Sequence, residues 1–292
     1  MSSNPLDLLL FSLGHQEIFG INVFKVREVC DMLPITQTPQ SNAALKGVVS
    51  LRGVLMPVID LAESIRMPSD APRTKLLITE ICGQIQAFQV ADVDRIVRLD
   101  WNRIQSPRAV PSANSSYLSS LTELDNGTLV SILDLEQVLG DVVGLEPEVA
   151  SLSPLPEAQR RPVFFADDSA FARRKIASVL DALGLSHHHA VDGTHAWREL
   201  ERAAQSAERA GRPLRQSLGL ILLDAEMPGM DGYELTRRIK ADSRLQGIPV
   251  VMHSSLSSGA NRRLGEAVGV DAYVVKFNSE ELARAIRQQL GG

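Results

Sequence analysis

Short apolar runs rich in Val, Ile and Leu fill the first half of the chain, at residues 8–13, 19–29, 54–59, 76–81, 85–90, 96–99 and 129–133. Gly, Pro, Asn and Asp break them about every eight to twelve residues, a rhythm that predicts an all-β barrel or sandwich. Long helical patterns are scarce there. From 146 to 162 the chain carries four prolines among Ser, Glu and Gln without a sustained period, and this stretch reads as a linker.

Beyond it a strand followed by an amphipathic helix recurs about five times, the pattern of a parallel sheet covered on both faces. After Ser169, a fitting N-cap, apolar residues return at Ile176, Val179, Leu180 and Leu183, and Gly184 ends the helix. The last helix has Asn278 or Ser279 as cap, Glu280 and Glu281 in its first turn, and Leu282, Ala285, Ile286 and Leu290 on one face. Helices are expected over 196–204, 233–240 and 261–268, with 205–215 as a lengthened connection. The expected organisation is a β-rich unit over 1–145, a linker over 146–160 and an α/β unit over 161–292.

At 292 residues and 44% apolar content the chain can build two cores. Its 30 basic and 35 acidic residues give a net charge of −5, so no basic field favours nucleic acid or an anionic membrane surface. No apolar stretch approaches a membrane span, and Met1 to Pro5 lacks the basic start of a secretory signal, so a cytoplasmic protein is expected. The two cysteines, Cys30 and Cys82, stand in apolar surroundings and read as packed thiols.

Five polar residues stand where buried strands of the second half run out. They are Asp167 and Asp168 after Phe165, Asp224 after Leu223, Ser254 after Met252, and Lys276 after Val275. In an open α/β sheet, ligands gather beyond the carboxyl ends of the strands. Three carboxylates gathered there repel one another unless a cation neutralises them, and hard oxygen ligands suit Mg²⁺.

Taken singly, such residues are ordinary loop acids or caps; together they suit phosphoryl transfer. A carboxylate can attack a phosphoryl group to form an acyl phosphate, and positioning and charge neutralisation do most of the remaining work. Asp224 is the nucleophile candidate because it ends the most continuously apolar strand, ahead of a turn at 227–232. Asp167 and Asp168 would hold the metal. Lys276 would pair with one phosphoryl oxygen and Ser254 would hydrogen-bond another.

The stretches 163–169, 222–232, 248–254 and 273–276 resemble the response-regulator receiver family, over roughly residues 161–290. The resemblance implies a flavodoxin-like (βα)5 fold and a histidine kinase that donates a phosphoryl group to Asp224. It implies Mg²⁺ bound by Asp167, Asp168, Asp224 and the backbone carbonyl of Glu226, and a coupled movement of Ser254 and Tyr273. Two residues depart from the pattern. Receivers usually place proline after the lysine, in a cis peptide, where this chain has Phe277; a trans bond or strain is expected there. Glu226, two residues past Asp224, reads either as a plain exposed acid or as one able to contact the phosphoryl group or its attacking water and so to alter the phosphate lifetime.

In the first half, residues 45–61 mix Gly, Pro and Arg with strand formers and read as a sharp turn between two strands, with Gly53 permitting the bend. With Phe19-Gly20-Ile21, this segment resembles the CheW-like chemotaxis coupling domain over about 5–140. That family implies a double small barrel that binds a chemoreceptor's cytoplasmic tip and a chemotaxis histidine kinase without catalysis of its own. Arg52 matches a motif position and is carried over as an interaction residue. A coupling domain followed by a receiver resembles the CheV architecture. The expectation is a phosphorylation-regulated adaptor, no enzyme toward outside substrates, associated with receptor arrays and able to drain phosphate from the kinase.

The competing class is an aspartate-nucleophile phosphatase for a small substrate, in which Glu226 would imitate the general acid; the lack of a substrate-capping insertion opposes it. No glycine-rich phosphate loop supports a nucleotide enzyme. The run His187-His188-His189, with His195 nearby, is read as the start of a strand, where adjacent side chains alternate faces and no cysteine accompanies them in zinc-like spacing. Trp101 and Trp197 are read as packing residues.

Overall fold

The computed structural model describes residues 6–39, 42–67, 69–81, 84–100, 103–105, 117–144, 149, 151–255, 259–276 and 278–291. It divides into two compact units, Met1–Leu145 and Glu146–Gly292. Cys82, Trp101 and Phe277 lie outside the described residues, and with Phe277 the expected geometry of its peptide bond.

Among its described residues the first unit carries ten strands: β1 (Leu6–Ser12), β2 (Ile18–Asn22), β3 (Val26–Asp31), β4 (Leu45–Leu51), β5 (Val54–Asp60), β6 (Lys75–Ile81), β7 (Gln84–Val90), β8 (Asp92–Leu99), β9 (Leu118–Glu123) and β10 (Leu129–Leu133). They form two sheets, ordered β8-β1-β2-β10-β9 and β3-β6-β7-β5-β4. Alternate residues of one strand point to opposite faces. Leu9 and Phe11 of β1 therefore enter a core shared by both sheets, while Leu8 and Leu10 enter a core belonging to the first sheet alone. β6 repeats the division, with Leu77 and Ile81 in the shared core and Leu76 and Ile78 in the second sheet's own.

A sheet with a private core has curled around it. In the second sheet the guanidinium of Arg52, beyond β4, lies 2.9 Å from Glu28 on β3, although these strands are its two edges. Bridges Thr36 to Val48 and Gln105 to Leu121 draw the edges together in the second and first sheet respectively. The expected double small barrel is what the strands build.

The apolar run 19–29 is split between the two sheets. The Asn22 side chain accepts a hydrogen bond from the Phe24 amide at 2.9 Å and starts a 3-10 turn, Val23–Lys25, that carries the chain from one sheet to the other. Among the described residues two α-helices interrupt or follow the strands, the short α1 (Leu61–Ser64) and α2 (Leu135–Val143). Asp134 caps α2 through the Gln137 amide at 2.9 Å, and Leu135, Val138, Leu139 and Val142 lie in the shared core.

The second unit alternates strands and helices: β11 (Val163–Ala166), α3 (Ala170–Ala182), β12 (His187–Ala190), α4 (Gly193–Arg209), β13 (Leu220–Asp224), α5 (Gly232–Ala241), β14 (Val250–Ser254), α6 (Gly259–Val268), β15 (Ala272–Val275) and α7 (Ser279–Gly291). Every strand pair is parallel, in the order β12-β11-β13-β14-β15. Val163, Phe165, Leu220 and Leu222 face α3 and α7, while Phe164, Ala166, Ile221 and Leu223 face α4 and α5. Burial on both faces explains the unbroken apolar runs. Ser169 caps α3 through the Ala172 amide, Asn278 caps α7 through the Glu281 amide, and Gly184 has φ 71° after α3.

Two segments differ from expectation. The stretch 205–215 is not all connection, because α4 continues to Arg209. Ala203, Ala204 and Ala207 extend the apolar stripe of Ala196 and Leu200, and Leu214 packs back into the same core. The proline-rich segment before β11 packs on the second unit: Leu155 is enclosed in the α3 and α7 core, and its amide donates to the Leu183 carbonyl at 3.0 Å. Among the described residues no helix is long and apolar enough to cross a membrane.

Candidate functional site

The parallel sheet delivers the five strand-end residues to one edge. β13 is central, β11 and β14 flank it, and β15 lies beyond β14. Asp224 is the last residue of β13 and Ser254 of β14; Asp167 and Asp168 follow β11, and Lys276 follows β15. Single carboxylate oxygens of Asp167, Asp168 and Asp224 all lie within 4.8 Å of one another. Among the described residues no other His, Cys, Asp and Glu group has a metal-holding arrangement, the histidine run included. In that run His187 meets Asp181 at 3.2 Å and His189 stacks on Phe165, which are packing roles.

Lys276 ties the cluster together. Its Nζ stands 2.9 Å from Asp167 Oδ2 and 3.0 Å from Asp224 Oδ2, with all three side chains almost wholly enclosed. Buried charges of this kind persist only when paired, and the three carboxylates outnumber the single ammonium that bridges them. A divalent cation matches that excess, and a set of hard oxygen donors suits Mg²⁺. The residues fit the ion that the sequence implied.

Local structure fixes the acids from behind. The Ser169 amide donates to Asp167 Oδ1 at 2.9 Å, and the Arg173 guanidinium donates to the carbonyls of Asp167 and Asp168 at 2.8 and 3.0 Å. Gly232 lets α5 begin directly against the strand end, since a Cβ there would stand 2.1 Å from the Asp224 carbonyl oxygen. Asp231 caps that helix through the Glu234 amide, and burial raises its carboxyl pKa above the usual range. Glu226 is half-buried in the loop between β13 and α5.

Beside the acids Ser254 is fully buried and Tyr273 is 7% exposed. Burial pushes the Tyr273 hydroxyl pKa up, while contacts with the Ser254 and Tyr233 hydroxyls pull it back. Tyr233 is raised more strongly, again chiefly by burial, with Tyr273, Glu226 and Asp224 adding to the effect. Tyr233 and Arg173 escaped the sequence reading. Arg173 had a signal, a base in the helical turn just after an acid pair; Tyr233 had none, being one apolar position on a helix stripe. Trp197 is half-buried against the α4 core beneath the Arg238 guanidinium.

In the first unit Arg52 and Gly53 form a two-residue hairpin turn between β4 and β5, with φ of 52° and 82°. Both values are positive, as a type I′ turn requires. The Arg52 side chain is 78% exposed beyond its contact with Glu28, and Val54 and Leu55 beside it are also exposed.

The two units match two family models, the CheW-like domain over residues 7–143 and the response regulator receiver domain over residues 163–287. Chemotaxis protein CheV3 of Helicobacter pylori is 32% identical over 281 residues, spanning 94% of this chain and 89% of that protein. The chain belongs to the CheV family. CheV2 of the same organism is 26% identical over 311 residues, covering 99% of this chain and 96% of its own. The scaffolding protein TtCheW from Thermoanaerobacter tengcongensis, a solved structure, is 26% identical and covers 47% of this chain and 90% of its own, with a TM-score of 0.43. This CheV chain is thus a chemotaxis adaptor of two-component signalling, a CheW-like domain joined to a receiver. The matches lend no support to the small-molecule phosphatase alternative.

Proposed function

We propose that this CheV protein couples a chemoreceptor's cytoplasmic tip to a chemotaxis histidine kinase through its CheW-like domain, under control of phosphorylation at Asp224. The observation that carries the reading is the Lys276 bridge between Asp167 and Asp224, buried at the end of the central strand. Asp224 is then the phosphoacceptor; Asp167, Asp168, Asp224 and the Glu226 carbonyl are the Mg²⁺ ligands, and Arg52 is a partner contact.

In the transfer step an Asp224 carboxylate oxygen attacks phosphorus. The bond from phosphorus to the donor imidazole nitrogen breaks, and that nitrogen takes up a proton. Bound Mg²⁺ supplies positive charge to the phosphoryl oxygens. Lys276 releases part of its ion pairing with Asp224 and takes an oxygen of the new phosphoryl group, while the Ser254 hydroxyl donates to another. Asp167, Asp224 and Lys276 are almost wholly enclosed, so their charges are screened less than they would be at the surface. Movement of Ser254 and Tyr273 then biases the surface near α6 and β15.

Incubation with a small-molecule phosphodonor and Mg²⁺ tests the chemistry. One stoichiometric label, released by hydroxylamine as an acyl phosphate is, that disappears in Asp224→Asn supports the receiver role; release of many phosphate equivalents per chain favours a hydrolase instead.

A further inference from the structure

Arg173 lies one turn into α3, where a long side chain leans toward the helix N-terminus and the chain that enters it. Its Nη1 donates to the carbonyls of both Asp167 and Asp168, at 2.8 and 3.0 Å. Those carbonyls precede the N-cap Ser169, so the amide ladder of α3 does not take them. The backbone closes the same turn from the other side. The Ser169 amide donates to Asp167 Oδ1 at 2.9 Å, the Ser169 hydroxyl accepts from the Ala172 amide at 3.2 Å, and the Ser169 carbonyl accepts from the Arg173 amide at 3.0 Å. The two acids thus sit in a closed ring of hydrogen bonds, in which one side chain grips the backbone of both.

We propose that Arg173 is a positioning residue of the metal site, holding Asp167 and Asp168 in the orientation that lets both carboxylates meet one divalent cation. This rests on the acid cluster binding such a cation. The two acids are neighbours in sequence, so the directions of their side chains are set by the peptide planes that follow them, and fixing both carbonyls fixes both planes. Without metal the carboxylates repel one another, and a turn held in place resists that repulsion before the ion arrives. Asp167 is 0% exposed, so loss of the donor leaves a buried carbonyl that the turn must rearrange to satisfy. The guanidinium also carries charge, which taken alone repels the ion. Holding and repulsion have opposite signs, so the direction of the change in metal affinity decides between them.

The probe is Mn²⁺, a paramagnetic ion that takes the same oxygen ligands as Mg²⁺. The electron paramagnetic resonance signal of the free ion is titrated against the full chain. The wild type is expected to show one site, lost in Asp168→Ala, and Arg173→Met to bind about ten-fold more weakly, as removal of an outer group that orients metal ligands does. Thermal melts of the same samples without metal report the fold. A purely structural Arg173 would lower the melting temperature and leave Mn²⁺ affinity as it was. Unchanged or tighter Mn²⁺ binding by folded Arg173→Met overturns the proposal; Arg173→Gln replaces that variant if circular dichroism shows that it does not fold. Absence of an Asp168-dependent site in the wild type removes the metal reading itself and this role with it, whereas equal affinities in wild type and variant remove only the role of Arg173.

Discussion

Lys276 Nζ stands 3.0 Å from Asp224 Oδ2, with 1% and 4% of the two side chains exposed. Removing one member of a buried ion pair leaves the other charge uncompensated and costs about 3–5 kcal/mol. Lys276→Met is therefore expected to lower the stability of the receiver transition by about that much in urea unfolding with EDTA present. Added Mg²⁺ is expected to restore part of it, because the ion neutralises the same carboxylates. Wild-type stability in Lys276→Met without metal would show that the pairing carries little weight.

The wild-type chain gains stability from Mg²⁺ if the acid cluster binds it. At about one hundred times the dissociation constant the gain is about 2.7 kcal/mol, seen as a rise in the receiver melting temperature. Asp167→Ala and Asp168→Ala are expected to abolish the response, and EDTA to reverse it. A melting temperature insensitive to Mg²⁺ in the wild type would refute the ligand assignment.

Arg52 holds a positive φ that costs a side-chain-bearing residue about 1 kcal/mol relative to glycine. A strained residue at an exposed turn is a reason to test that position as a partner contact. Arg52→Gly is expected to leave the CheW-like domain as stable as before or up to about 1 kcal/mol more so, while weakening its binding to kinase or receptor fragments. Titration calorimetry and thermal melts of the variant separate the two effects; unaltered binding would remove Arg52 as a partner contact.

Asp242 caps the short helix Ser243–Leu245 and pairs with Arg244 at 2.6 Å. The Arg244 guanidinium, outweighing partial burial, holds its carboxyl below the usual range. A depressed folded pKa means stability that is present above the unfolded value, near 3.9, and lost as pH falls through the folded one. Asp242→Asn is expected to cost about 0.5–1 kcal/mol at pH 7, after allowing for solvent screening, with the difference from wild type closing below about pH 4. A gap that stays undiminished as the pH falls to about 2 would assign the effect to geometry instead of charge.

Residues whose position follows from a strand running out were legible in the sequence. Asp224, Ser254 and Lys276 each follow an apolar run buried on both faces, so parallel pairing alone carries them to one edge. What escaped depends on closure or on distant packing. Arg52 meets Glu28 only because a sheet curls until its edges touch, and Tyr233 meets Tyr273 only because α5 and β15 converge on one cluster. The extension of α4 was hidden for a different reason: its stripe continues through Ala203, Ala204 and Ala207, whose small side chains give a weak periodic signal. Helix α2 was missed because nine residues following directly on a strand leave little room for a period to show.

The central claim is that phosphorylation at Asp224 regulates coupling, and affinity in two states tests it most directly. Binding of the full chain to purified chemotaxis kinase and receptor-tip fragments is measured with Mg²⁺ alone and with Mg²⁺ plus beryllofluoride, a phosphoryl mimic, using Asp224→Asn as control. The expected result is an affinity change of about five-fold or more in the wild type, the lower end of ordinary coupling between sites, and none in Asp224→Asn. Equal wild-type affinities in the two states would contradict the account.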